Sequence, residues 1–218
     1  MKKGAENLNL HRALSDIAEI RAQLDKTETY RGFRSSAVGV SVILLLAGAF
    51  IQKVWVADSV LEIDRFLIVW FCVAITSLGT AIAEMLIRAR VSESQLVTKM
   101  HWSLVRQIAP SLAVGFALTI LISAHALDQP AEAGMMWALP GVWSMIYGLG
   151  LFTCRKHLPE QTLGVAIYFL VVGGLTLAYA WSTRELTGWQ MVVSFGVGQA
   201  LLAIVLFWNL ERRRETES

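Results

Sequence analysis

Charge is scarce in this chain. Only 17% of its 218 residues are Asp, Glu, Lys or Arg, where a soluble domain carries about a quarter. The net charge of +2 is too small for any general attraction to nucleic acid, so no direct nucleic-acid partner is expected. Cysteine is nearly missing too: Cys72 and Cys154 are the only two, and both fall inside apolar runs, which argues against a disulfide framework. The sequence has no HExxH pair, no paired-histidine metal spacing, no Walker A loop, no GxSxG and no aspartate-rich phosphotransfer motif. An integral-membrane enzyme would gather charged or nucleophilic groups at one depth, and none are gathered here. Neither catalytic activity nor a cofactor is expected.

Apolar residues fill the gap. They make up 55% of the chain and cluster into runs of about 20, the length that crosses a hydrocarbon core of ~30 Å. Six runs stand out, at roughly 37–56, 66–87, 108–127, 135–154, 161–181 and 189–210. The alternation a β-barrel requires is absent, and a lipid-exposed backbone must close its own hydrogen bonds, so each run is predicted helical. The expected fold is all-α: a polytopic bundle of six transmembrane helices over 36–210, preceded by a cytoplasmic amphipathic helix and linker (1–35) and followed by a basic tail (211–218). The first apolar run starts behind a charged segment too long for the n-region of a signal peptide, so no cleaved leader is expected.

Orientation follows from the basic residues. Of nineteen Lys and Arg, only Lys53, Arg65 and Arg184 fall on one side of the six-span arrangement; the other sixteen fall on the opposite side. Positive charge favours the cytoplasm, so both termini are expected inside. Trp55, Trp70, Trp137, Trp181, Trp189 and Trp208 lie toward span ends, where indoles favour the interface. In the connection 88–107, Val97, Met100 and Leu104 recur at helical spacing, which predicts a short surface helix ending before Pro110 begins the third span.

Candidate sites are few. Glu84, in TAIAEMLIRAR, is the one carboxylate inside a span, with Arg88 four residues on in the order that favours a helical ion pair. The competing reading is a proton or cation site, because intramembrane charge is costly. His125, in SAHALDQP, is the one histidine inside a span, either an interfacial residue or a proton or ligand group. Asp58, Glu62 and Asp64 crowd one connection without the glycine or bidentate pattern of a calcium loop. Gly148 on the fourth run, Gly173 and Gly174 on the fifth, and Ser194 and Gly198 on the sixth are the small residues that let helices approach closely in lipid. Pro140-Gly141 leaves open a broken helix lining a substrate passage. Gln199 is placed as an interhelical hydrogen bonder.

Residues 8–24 read differently. Leu10, Leu14, Ile17 and Leu24, with Ile20 beside them, form one apolar stripe. Arg12–Asp16 and Arg21–Asp25 sit four apart on the polar side. Membrane-surface helices carry Lys/Arg-rich polar faces, whereas this one mixes both signs, which fits docking on protein. The bundle itself, a cytoplasmic partner, a second copy of the chain and the lipid headgroups remain open as the surface.

The stretches NLNLHRALSDIAEIRAQL (7–24) and LPGVWSMIYGLGLF (139–152), followed by Arg155 and Leu158-Pro159, resemble a family of small, uncharacterised multi-pass bacterial inner-membrane proteins with a leading cytoplasmic helix. Such proteins are often encoded beside a winged-helix transcription regulator. The resemblance implies a bacterial inner-membrane location and a regulatory, sensory or scaffolding role. It carries over no functional residue. The alternative from the residues themselves is a small transporter or channel subunit using Glu84 and the glycine-rich helices.

Overall fold

The computed structural model describes residues 35–55, 62–91, 95–127, 135–156 and 158–211, and no strand occurs among them. The expected docking residues Leu10, Leu14, Ile17, Ile20 and Leu24 lie outside the described residues, as do Asp58 and the tail from Arg212 onward. Six helices follow in order: α1 (Ser35–Trp55), α2 (Glu62–Val91), α3 (Gln95–Leu127), α4 (Leu139–Thr153), α5 (Thr162–Thr183) and α6, residues 188–211. Five of them, α1, α2, α3, α5 and α6, are long and apolar enough to cross a membrane. At 15 residues α4 is shorter, and 3-10 turns extend it at both ends, Met136–Ala138 and Cys154–Lys156.

Two boundaries correct the sequence reading. The surface helix and the third span are one rod, α3, of 33 residues with Pro110 inside it. Proline loses one backbone bond and crowds the carbonyl four residues back, at a cost of about 3 kcal/mol in an ordinary helix interior. Long transmembrane helices absorb that break because neighbouring hydroxyls and adjusted turns serve the freed carbonyls. The carbonyl that Pro110 leaves without its usual donor is that of Arg106; the Thr153 hydroxyl of α4, which donates to its own helix's Gly150 carbonyl at 2.7 Å, comes within 3.5 Å of the next carbonyl, that of Gln107. Pro140, the candidate helix breaker, instead falls in the first turn of α4, where a missing N–H leaves nothing unpaired.

The helices run alternately up and down, and the order around the bundle is α2, α1, α6, α5, α4, α3. At one end Val38, Leu104, Leu151, Cys154, Leu158 and Leu206 share a core. At the other, Phe66 and Trp70 pack with Leu45 and Met191, and Trp137 packs with Ala138 and Ala180. These are called here the Cys154 end and the Arg184 end. The ring is loosest between α2 and α3. Both are peripheral: Ile75, Leu78, Ile82 and Leu86 on α2, and Leu112, Phe116, Ile120 and Leu121 on α3, are exposed. Apolar faces this broad would force association in water, whereas lipid tails match them. α6 is composite, an α-helical turn Gly188–Met191, a π-helical stretch Val192–Val197, the α-helix Gly198–Leu206 and a second π-helical stretch Phe207–Glu211.

Candidate functional site, a polar seam through the bundle

α4 is the hub. Glycines bring its backbone against α5: a methyl group added at Gly141 would sit 2.8 Å from the Gly173 carbonyl, one at Gly173 2.9 Å from the Gly141 carbonyl, and one at Gly148 3.0 Å from the Ala166 carbonyl. These pairs step in opposite directions along the two chains, so α4 and α5 are antiparallel. Ser144, fully buried in that contact, donates its hydroxyl to the Phe169 carbonyl at 2.9 Å. Gly174 does not belong to this contact. A methyl group there would meet nothing within 4 Å, because adjacent helical residues point about 100° apart and Gly173 already takes the facing position.

α6 closes on the same hub. Gln199 Nε2 donates to the Tyr147 hydroxyl of α4 at 2.9 Å, and Ser194 Oγ lies 3.3 Å from Thr176 Oγ1 of α5. Tyr168 donates its hydroxyl to the Val193 carbonyl at 2.7 Å. Val193, Ser194 and Phe195 all belong to the π-helical stretch, a widened turn that proteins use where a helix must present groups out of ordinary phase. Phe195 meets Tyr147 and Phe169 at ring-centroid distances of 5.8 Å each, and Tyr147 meets Phe169 at 4.8 Å. Gly198 lies directly beneath the Phe169 ring.

Toward the Arg184 end the pairing continues. Trp70 Nε1 donates to Gln52 Oε1 at 2.7 Å, tying α2 to α1, and Trp143 Nε1 donates to Thr119 Oγ1 at 2.8 Å, tying α4 to α3. Gln190 is fully buried; its Oε1 accepts from the Thr187 N–H at 3.2 Å and its Nε2 donates to the Glu185 carbonyl at 3.1 Å, which fixes the α5–α6 connection. Arg184 ends α5 in the left-handed region, φ 57°, ψ 21°. Its guanidinium stands 4.6 Å from the Trp137 ring centre and 5.0 Å from that of Trp181, and the two indoles meet edge to face at 5.5 Å.

The other candidate residues stand apart from this seam. Glu84 is half-buried on α2, next to Met85, which packs on the Cys154-end core. Arg88 follows one turn later on the same helix, and its side chain lies outside the described residues. His125 is exposed in the last turn of α3. Among the described residues no group of three or more His, Cys, Asp or Glu could hold a metal ion. The seam is made of neutral donors and acceptors that serve one another across helix pairs, a chemistry suited to fixing helices in register.

Sequence reasoning missed Gln52, Thr119, Tyr147, Thr176 and Arg184. The signal was present for most of them, a lone amide, hydroxyl or phenol in an apolar run, but the partner of each is 18 or more residues away. No family model, no curated protein and no solved structure matches this chain. The five long apolar helices fit a multi-pass membrane protein. Within that class, the particular role rests on the arrangement described above.

Proposed function

We propose that the chain is a non-catalytic integral membrane protein of a bacterial inner membrane. It crosses six times, keeps both termini in the cytoplasm, and acts as a regulatory, sensory or scaffolding component. Its N-terminal segment, over residues 8–24, supplies the contact with its own bundle or with a cytoplasmic partner. The family resemblance supports the regulatory part of this reading.

The observation that carries the reading is the set of neutral hydrogen-bonded pairs that join α4 to its neighbours. A sixth crossing is supported by the α4–α5 register. α4 alone rises about 22 Å, and its flanking 3-10 turns add about 12 Å, enough for a core of ~30 Å. It also runs beside α5 from Trp137 near Trp181 to Gly148 near Ala166. Pairing along a span-length apolar neighbour supports a crossing by α4 as well. Reporter fusions in the connections and at both ends test this topology. Cytoplasmic signals from both ends, with alternation between, are expected; a periplasmic signal after Arg214 would remove the even number of crossings.

One observation favours a transporter or channel subunit as the second reading: the half-buried carboxylate of Glu84 within a span. Ion flux in vesicles reconstituted with the full chain separates the two. Flux that Glu84→Gln abolishes would favour transport.

A further inference from the structure

The Arg184 end holds hydrogen-bond donors that the scaffold itself does not use. Arg184 is exposed, and none of its five guanidinium N–H groups has a carboxylate or carbonyl partner among the described residues. Two indole faces pin it instead. Beneath it, Trp137 is only 3% exposed, and its buried Nε1–H has no acceptor among the described residues. These are two independent deficits of the same sign, a cation without an anion and a buried donor without an acceptor, within one aromatic cluster. A third observation agrees. The backbone takes a left-handed turn at a non-glycine residue to put this side chain over the rings.

We propose that Trp137 and Arg184 together bind a phosphate group, the phosphodiester of a phospholipid headgroup at that face of the bilayer. Phosphate offers several acceptor oxygens on one centre; the exposed guanidinium edge can take one directly, and reaching the covered indole N–H requires the side chains over Trp137 to shift. Position selects the source. The cluster caps the end of α5, a span-length apolar helix, at the depth where headgroups lie, and tryptophan prefers that depth. Arg65 stands 5.4 Å over the Trp55 ring at the same end, but it already donates to the Trp55 carbonyl at 2.9 Å. Among the described residues the two deficits coincide only at Arg184. The inference rests on the membrane reading for the source of the phosphate, and membrane extraction of each variant tests that reading separately.

Native mass spectrometry of the full chain, released from micelles doped with phosphatidylglycerol or with diacylglycerol of the same chains, provides the test. The wild type is expected to retain phosphatidylglycerol over diacylglycerol. Arg184→Asn keeps a residue that tolerates the left-handed backbone while removing the guanidinium, and should lower retention roughly tenfold. Trp137→Phe keeps an aromatic ring for the cation while removing the N–H together with part of the indole surface; a smaller but clear loss is expected. Equal retention of both lipids by the wild type would overturn the proposal, and so would unchanged retention in the two variants. Displacement of the lipid by millimolar inorganic phosphate would also overturn it, by assigning the site to the free anion.

Discussion

The side chain of Gln199 on α6 donates to the Tyr147 hydroxyl on α4 across 52 residues of sequence, at 2.9 Å. This bond joins the last helix to the hub, inside a ring of aromatic side chains.

Removing it is expected to be measurable and mild. Interhelical hydrogen bonds in membrane proteins contribute about 0.6 kcal/mol on average and up to ~1.7 kcal/mol, because the dispersed helices also find partners. Gln199→Leu and Tyr147→Phe should each destabilise the detergent-solubilised protein by about 1 kcal/mol. In a double-mutant cycle the second change should cost little once the first is made. Fully additive losses would show that the two groups do not interact.

Gly198 and Gly174 should respond in opposite ways to alanine. A methyl group at Gly198 runs into the Phe169 ring, which is fully buried and has nowhere to move. Overpacking of this kind costs about 1–3 kcal/mol. Gly174→Ala meets open space and should stabilise the helix by about 0.5–1 kcal/mol. Thermal unfolding of the two variants compares them directly, and truncating Phe169 to Leu should rescue Gly198→Ala.

Arg184 combines a favourable contact with an unfavourable backbone. Arg184→Ala loses the cation–π stacking and keeps the left-handed turn, whereas Arg184→Gly loses the stacking and relaxes the turn. The glycine variant should therefore be the more stable by about 1 kcal/mol. Equal stability would mean that the turn is unstrained.

The Glu84–Arg88 pair is expected to be structural. Glu84→Gln should cost on the order of 1 kcal/mol or less, as exposed and partly exposed pairs do. Assembly by size-exclusion chromatography should be unchanged, and so should ion permeability of reconstituted vesicles. A specific loss of ion movement with assembly intact would move the function toward transport.

Pro110→Ala should leave assembly intact. Pro110 is exposed and lies inside α3, so restoring an N–H there removes a helix defect without touching a packed neighbour. Stability should stay level or rise, by no more than about 3 kcal/mol.

Apolar clustering made the spans readable, since a run of about 20 apolar residues has one stable fate in lipid. The errors arose where a local rule met a longer-range one. Pro110 signals a boundary by propensity, yet α3 continues through it from Gln95 because a membrane helix can share out the broken bond. Gly173 and Gly174 are chemically the same, and only the phase of α5 against α4 separates them. Gln199 could be marked as a hydrogen bonder from its setting, but its partner could not, since pairing across 52 residues is a property of the assembled bundle. Arg184 gave no signal, because a left-handed arginine held between Trp181, three residues back, and Trp137 of another segment violates the local preference for glycine.

The ring order has a consequence for how the chain is built. Helices emerge from the ribosome in sequence, so α1 and α2 can pair at once, and α3, α4 and α5 can pair as each arrives. α6, synthesised last, fits between α1 and α5 and also reaches α4. Until it is made, the two early groups meet chiefly where α2 approaches α3 and α4, through Phe71 against Phe116 and Trp143 and through Phe66 against Trp143. A chain that stops before Gly188 is thus a helix pair, α1 and α2, beside a three-helix group, α3 to α5, with the faces that α6 would cover left open.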